Sequence, residues 1–497
     1  MKYKQLAAQY ISAIQSGKLA APSRMPSLRQ FSQLHQVSMT TTLNCYQHLE
    51  SQGWIVAKPQ SGYFVAKRGT HRQPALARFE SRMTSAAEYQ ASEEWGSQGQ
   101  APESQHAGPL GYSRFEADAV LAKQLEQSFR RAHQRLGERM NFYPAPQGEQ
   151  ITRTVLSQHF APYGFHFQPD QLVITNGCMD AIRAAIEVCT QPGDAIAISS
   201  PCFNGLLTLL REMSRNIVEI PSVESGIDLD QLEYHMQQGT IQAGLFCTTH
   251  MNPQGITMTP EQKQRLARMA AQYQVPVIED DVYMELPHNN TVPLPAKYYD
   301  QAGYILWCGS VSKTLAASYR LGWCLPGRYF ESYLRRFAAG CFGVSLPVQL
   351  AIADFIDNGQ YSRSLKHRRF ALLANKRRYI EYLEQALPGE VRISDPAGGM
   401  VLWLQIPALN LARFKHLLQA VQLDIRLGAL FTSRDLYRDC LRINIGYALP
   451  EPGEPENATQ QALDALTQLL KQAMQTQDAA CAITETRNGD IAETISE

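Results

Sequence analysis

The sequence predicts an α/β protein that carries a small basic helical module at its N-terminus and a smaller α+β subdomain at its C-terminus. Three observations lead there. Residues 1–67 hold seven basic side chains (Lys2, Lys4, Lys18, Arg24, Arg29, Lys58 and Lys67) against one acid, Glu50, although the 497-residue chain balances 46 Lys+Arg with 46 Asp+Glu. From about Gly111, short apolar strand patterns alternate with helical ones, as in a mostly parallel sheet with crossover helices. From about residue 350 a long helical pattern gives way to strand-like MVLWLQI and LRINIG, which suits a separate α+β unit. The length agrees with roughly three units at about 150 residues each. A hydrophobic content of 44% supplies full-sized cores and excludes global disorder and a disulfide-stapled scaffold. Zero net charge excludes a uniformly basic nucleic-acid coat but not a local basic patch.

In order along the chain, Ser27 is placed to N-cap a helix running through Leu34. Val37-Ser38 turns the chain, and Ser38 caps a second helix from Met39 to about Ser51. In that helix Leu43, Leu49 and in part Tyr46 fall at helical spacing for a core face. The opposite face opens with Thr40, Thr41, Thr42 and Asn44, short polar groups suited to phosphates and base edges. Gly53 stops the helix, and Trp54–Ala57 with Tyr63–Ala66 form a two-stranded wing. This run resembles the winged helix-turn-helix DNA-binding domain of GntR-type regulators, through Pro26-Ser27-x-Arg29, Val37-Ser38, Thr41, Tyr46, Leu49-Glu50, Gly53 and Ser61-Gly62. The resemblance implies DNA contacts from Ser27, Arg29, Ser38, Thr40, Thr41, Thr42, Tyr46 and Gly62. Met39 stands where that family usually has arginine.

Residues 68–110, rich in Ser, Gln, Ala, Glu and Pro, read as a polar linker with a short helix near Leu76–Glu88. Strands follow at QLVIT (171–175), AIAIS (195–199), AGLFCTT (243–249), VPVIED (275–280) and YILWCGS (304–310), with helices such as MDAIRAAIEVC and PEQKQRLARMAAQY between them.

Six motifs lie at the ends of these elements. Lys313, in Ser310-Val-Ser312-Lys313-Thr, follows an apolar strand and is poised to form a Schiff base with an aldehyde. Ser310, Ser312 and Arg320 offer two hydroxyls and a fixed cation to a phosphate dianion. Glu279-Asp280-Asp281-Val-Tyr283 ends a strand, where a carboxylate points into the crevice of a parallel sheet. Asp280 is suited to a protonated pyridine nitrogen, and Tyr283 to the ring's phenolic oxygen. The spacing alone does not choose between Asp280 and Asp281. Asn252, in Asn-Pro-x-Gly, is suited to donate to the same oxygen. Gly177 allows close backbone approach, and the amides of Cys178 and Met179 open a helix that can bind phosphate. Phe203 is suited to stack on a ring. Arg442 is a lone cation in an apolar strand and needs an anionic partner, internal or from a ligand.

In their order these motifs resemble the fold-type I pyridoxal-phosphate enzymes of aminotransferase class I and II, over about residues 111–475. The resemblance implies that Lys313 carries the cofactor and Asp280 pairs with its ring nitrogen. Asn252 and Tyr283 would bind the ring oxygen, Phe203 would stack and Arg442 would grip an α-carboxylate. Tyr143 matches the tyrosine that reaches the partner subunit's phosphate, which implies a homodimer, head-to-tail by analogy. Ala316-Ala-Ser318 replaces the family's common Pro-Gly. Reader and body together resemble the MocR subfamily of bacterial regulators, in its YdcR-like branch. The expected protein is a pyridoxal 5′-phosphate-dependent transcriptional regulator that binds double-stranded DNA and senses an amino acid, an amine or the cofactor itself. The alternatives are a working aminotransferase with a DNA tether, and a DNA-binding protein with an inert body.

The ten cysteines show no metal-ligand spacing, so no metal is expected. Those at 189, 247, 308 and 324 lie in apolar runs, as reduced thiols of a cytoplasmic protein would. Neither a secretory leader nor a membrane span is expected. Residues 476–497 lack periodicity and read as a disordered tail.

Overall fold

The computed structural model describes residues 2–51, 54–58, 61–65, 72–88, 108–289, 291–421, 423–451 and 453–474. The helix stop at Gly53, the tip of the wing, most of the expected linker and the tail from 476 lie outside them.

The N-terminal module consists of α1 (Lys2–Gln15), α2 (Leu28–Leu34), α3 (Met39–Ser51) and a hairpin of β1 (Ile55–Lys58) with β2 (Gly62–Val65). Ser27 caps α2 in a reciprocal box: its Oγ accepts from Gln30 N, and its own N donates to Gln30 Oε1. Ser38 Oγ accepts from Thr41 N at 3.1 Å and fixes the start of α3. Leu6, Phe31, Cys45, Tyr46, Leu49, Trp54 and Ile55 form the core.

Two expectations for α3 are corrected. Thr42 and Tyr46 are fully buried, and the Tyr46 hydroxyl donates to the Pro26 carbonyl, so neither side chain faces outward to DNA. Leu43, expected in the core, is 40% exposed. At 3.6 residues per turn, positions 42, 45, 46 and 49 make the inward stripe, and 43 falls outside it. α1 was not anticipated, although Tyr3, Leu6, Ala7, Tyr10, Ile11 and Ile14 turn toward the module's core at helical spacing.

The segment 72–88 is not helical. It runs along the body in extended form, with β3 (Met83–Thr84) pairing antiparallel with an edge strand (216–223) of the large sheet. Ser81 donates to Gln231 Oε1 through both N and Oγ, and Ile393 N donates to the Arg72 carbonyl at 2.9 Å. An exposed sheet edge offers backbone partners that a short isolated helix cannot match.

The body continues with α4 (Ala119–Leu136), α5 (Gln150–Phe160), β4 (Val173–Thr175), α6 (Cys178–Cys189), β5 (Ala195–Ser200), α7 (Asn204–Glu212), β6 (Asn216–Val223), β7 (Gly226–Ile227) and α8 (Leu229–Gln237). Then come β8 (Ala243–Phe246), α9 (Pro260–Tyr273), β9 (Val277–Asp280), β10 (Ile305–Ser310), β11 (Gly322–Leu325), α10 (Phe330–Gly340), α11 (Leu346–Asp357) and α12 (Gln360–Ala386). Among the described residues the sheet order is β3-β6-β5-β8-β9-β10-β11-β4, with β7 beside β6. The pairs from β6 to β10 are parallel, whereas β11 is antiparallel to both β10 and β4. The ends of β4, β5, β8, β9 and β10 therefore open onto one edge of the sheet, where ligands of such folds bind. Buried strand residues on both faces explain their unbroken apolar runs.

The last part holds β12 (Arg392–Ile393), β13 (Val401–Gln405), α13 (Leu411–Gln419), β14 (Arg426–Leu427), β15 (Cys440–Asn444) and α14 (Ala458–Met474). Its strands form an antiparallel sheet ordered β12-β13-β15-β14. No helix among the described residues is long and apolar enough to cross a membrane.

Candidate functional site

Lys313 follows β10. Its Nζ donates to the Ser113 carbonyl at 2.9 Å. Burial, with the Arg442 and Arg320 cations, lowers its pKa to about 8 against the attraction of Asp280. Asp280 ends β9 and accepts from Cys178 Sγ at 3.3 Å; burial pushes its pKa up to about 6. Asp281 turns to the other side of the strand, where it accepts from Trp307 Nε1 at 2.9 Å. Burial and the neighbouring Glu279 push Asp281 up to about 7. Of the two carboxylates, it is Asp280 that interacts electrostatically with Lys313.

Next to this pair, Asn252 Nδ2 lies 3.5 Å from the Tyr283 hydroxyl and Arg442 Nη1 donates to Asn252 Oδ1 at 3.2 Å. Burial drives Tyr283 up to about 12 and Arg442 down to about 10. Arg442 also donates to the Gly111 carbonyl, while its buried Nε has no partner among the described residues.

A third group assembles around α6. Gly177, at φ 89°, precedes the helix, and a Cβ there would lie 2.5 Å from Arg320 Nη2. Arg320 Nη2 donates to the Asn176 carbonyl at 2.9 Å. The open amides of Cys178 and Met179 thus stand beside a guanidinium, a geometry made for a phosphate. Ser310 is buried and its Oγ accepts from Ser312 N at 3.3 Å. Phe203 begins α7 beyond β5, its ring over Gly205. These groups fit a pyridoxal phosphate: the cradle excludes a side chain, and a buried carboxylate interacts with the lysine. No group of residues that could hold a metal ion occurs among those described.

Tyr143 does not join this cluster. It is 83% exposed and packs on Phe342, itself 75% exposed. In the module, Ser27, Arg29, Ser38, Thr40 and Gly62 are exposed and Thr41 is half-buried.

Several groups in the site were not anticipated. Residues 108–116 run across it: Asn444 N donates to the Leu110 carbonyl, and Asn444 Nδ2 to the carbonyls of Pro109 and Arg114. The Arg426 guanidinium covers the Tyr112 ring at 4.6 Å. Strand alternation puts Asn444 on the same face as Arg442, a signal present in the sequence. The backbone carbonyls of 109–114 leave no such signal. Behind Lys313, Tyr361 Oη lies 2.8 Å from both Thr314 Oγ1 and Glu285 Oε2, and Glu285 is paired with His159.

Fold and site define a pyridoxal-phosphate transferase-like body of fold type I, joined to a winged helix-turn-helix. The family model for aminotransferase class I and II matches residues 112–461. The HTH-type transcriptional regulator YdcR of Escherichia coli, itself uncharacterised, is 31% identical over 484 residues, covering 95% of this chain and 100% of the relative. Aromatic-amino-acid aminotransferase 1 of Thermococcus litoralis is 26% identical over 322 residues, 61% of this chain and 73% of its own. Among solved structures, the α-aminoadipate aminotransferase LysN of Thermus thermophilus superposes with a TM-score of 0.68 at 18% identity, covering 78% of this chain and 97% of that one. The chain belongs to the aminotransferase class I and II family and, within it, to the MocR-type regulators that join a GntR-type reader to such a body.

Proposed function

We propose that the chain is a transcriptional regulator that binds duplex DNA through residues 1–67 and holds pyridoxal 5′-phosphate on Lys313 in its body. There an amino acid, an amine or the cofactor itself is sensed. The observation that carries this reading is the convergence of Lys313, Asp280, Asn252, Tyr283 and the Gly177–Arg320 cradle at one sheet edge of a chain that also has a DNA-reading module. The names of the relatives, regulators on one side and aminotransferases on the other, support both halves.

When bound, the cofactor supplies an aldehyde for amine exchange and a ring that accepts an electron pair. The protein's own groups do the rest. Lys313, with its lowered pKa, is neutral in about one molecule in ten at pH 7, far more often than an ordinary lysine, and can carry a proton to and from its Nζ. Asp280 would hold a proton at the ring nitrogen. Asn252 and Tyr283 would bind the ring oxygen, Phe203 would stack on the ring, and Arg320, Ser310, Ser312 and the α6 amides would hold the phosphate. Arg442 orients a carboxylate. Ser27, Arg29, Ser38, Thr40, Thr41 and Gly62 face the DNA. Tyr143, with Phe142 and Phe342, offers an outward aromatic patch suited to a homodimer in which Tyr143 completes the partner's site. A ligand alters DNA affinity only if it favours one arrangement of body and reader.

The test uses purified full-length chain. Pyridoxal phosphate should bind and be fixed to Lys313 by borohydride, and Lys313→Ala should abolish the fixation. Arg29→Ala should weaken duplex binding without altering cofactor content. Duplex binding should fall as salt rises. Steady transamination between an amino acid and a keto acid would establish the working-aminotransferase alternative, whereas failure to bind cofactor would leave an inert body.

A further inference from the structure

We infer that α3 reads its operator through thymine methyl groups, with Met39 and Leu43 as the apolar readers. The inference rests on the reading that this module binds duplex DNA, and it names the base chemistry recognised there.

Burial divides α3 into two faces. Thr42, Cys45, Tyr46 and Leu49 point inward, and Met39, Thr40, Leu43 and Asn44 are exposed. Met39 is 47% and Leu43 40% exposed, and both lie on α3, whereas Leu34, 66% exposed, ends α2. Met39 and Leu43 stand four residues apart, on adjacent turns of the same side of the helix.

The surroundings favour DNA as the occupant. Arg24 and Arg29 are exposed beside α2 and the wing, Lys2 and Lys18 are exposed on the same module, and the amide end of the 13-residue α3 is open apart from its Ser38 cap. This charge suits the phosphates that flank a major groove. Within the groove, guanine is read by arginine or lysine in bidentate contact, and residues 39–44 (Met-Thr-Thr-Thr-Leu-Asn) contain neither. Among the described side chains of 39–44, the outward face carries methyl-bearing surface, the Thr40 hydroxyl and the Asn44 carboxamide. Methyl-bearing surface complements the C5-methyl of thymine, and a carboxamide such as Asn44 complements the N6/N7 edge of adenine. Both point to A·T pairs. A second copy of the chain would also cover apolar side chains, but it gains nothing from the surrounding cations.

Full-length chain is used to select duplexes from a random pool. The protected thymines of a selected duplex are then replaced one at a time by deoxyuridine, which lacks only the C5-methyl. The expected result is A·T pairs at the protected positions and an affinity loss of about fourfold for each contacted methyl removed. Leu43→Ala and Met39→Ala should each weaken the thymine duplex and abolish the penalty for deoxyuridine at one position. Affinity that ignores deoxyuridine at every protected position, or protected positions dominated by G·C, overturns the inference while leaving DNA binding intact. So does a Leu43→Ala chain that changes its oligomeric state but not its discrimination. Selection of no duplex overturns the underlying reading and this inference with it. The wild-type measurement with deoxyuridine needs no substituted protein, so the outcome does not depend on how well a variant folds.

Discussion

Replacing Arg442 by glutamine should raise the pKa of Lys313. That amine is held at about 8 by burial first, then by the Arg442 and Arg320 cations, against the pull of Asp280. At pH 7 such an amine is neutral in about one molecule in ten, against about one in three thousand for an ordinary lysine, an increase of about 300-fold in the form that attacks an aldehyde. Loss of the Arg442 charge removes the larger of the two cationic contributions. The assay mixes cofactor-free chain with pyridoxal phosphate, traps the lysine with borohydride and follows the initial rate from neutral to alkaline pH. The wild-type rate should rise with a midpoint near 8, and the Arg442→Gln midpoint should lie higher. A wild-type midpoint at the ordinary 10.5 would refute the site's electrostatics. A midpoint near 8 that Arg442→Gln leaves in place would refute the role given to that guanidinium.

Asp280→Asn should stabilise the cofactor-free chain at neutral pH while weakening its hold on the cofactor. The folded pKa of about 6 lies above the ordinary 3.8, so the folded state favours the protonated acid, and this contribution is lost as pH rises through 6. Charge burial there costs up to about 3 kcal/mol at neutral pH, and a wild-type melting temperature equal to or above the variant's would contradict this. Gly177→Ala must accommodate both φ 89° and a Cβ against Arg320, so pyridoxal phosphate affinity should fall by about tenfold or more in equilibrium titration; an unchanged affinity would remove the cradle from the site. Thr42 Oγ1 is buried with no partner among the described residues. Thr42→Val should therefore leave duplex affinity unchanged and alter stability by no more than about 1 kcal/mol, in the stabilising direction, by denaturant unfolding.

The parts of the fold that were legible in the sequence are those where one physical signal dominates. The runs AIAIS, VPVIED and YILWCGS became β5, β9 and β10 because strands buried on both faces must be apolar throughout. The run PEQKQRLARMAAQY became α9, and the N-cap read at Ser27 starts α2. Where backbone pairing decides, the sequence says little: β3 exists because β6 has a free edge, and the residues before it lie extended over the body instead of coiling. The choice between Asp280 and Asp281 required the strand's direction, which sends one to Cys178 and the other to Trp307. The inward stripe of α3 turned on a single residue of phase, which moved Leu43 outward and Thr42 inward, while Tyr46, expected in part on the core face, is wholly buried.

The stretch 108–116 has a consequence for any binding measurement on this protein. Its peptide carbonyls accept from Arg442, Asn444 and Lys313, and under the proposed function an incoming acid or aldehyde competes with them for Arg442 and Lys313. The polypeptide is thus its own competitor, tethered at high local concentration. An incoming molecule's apparent affinity will be its intrinsic affinity reduced by the work of dislodging this stretch.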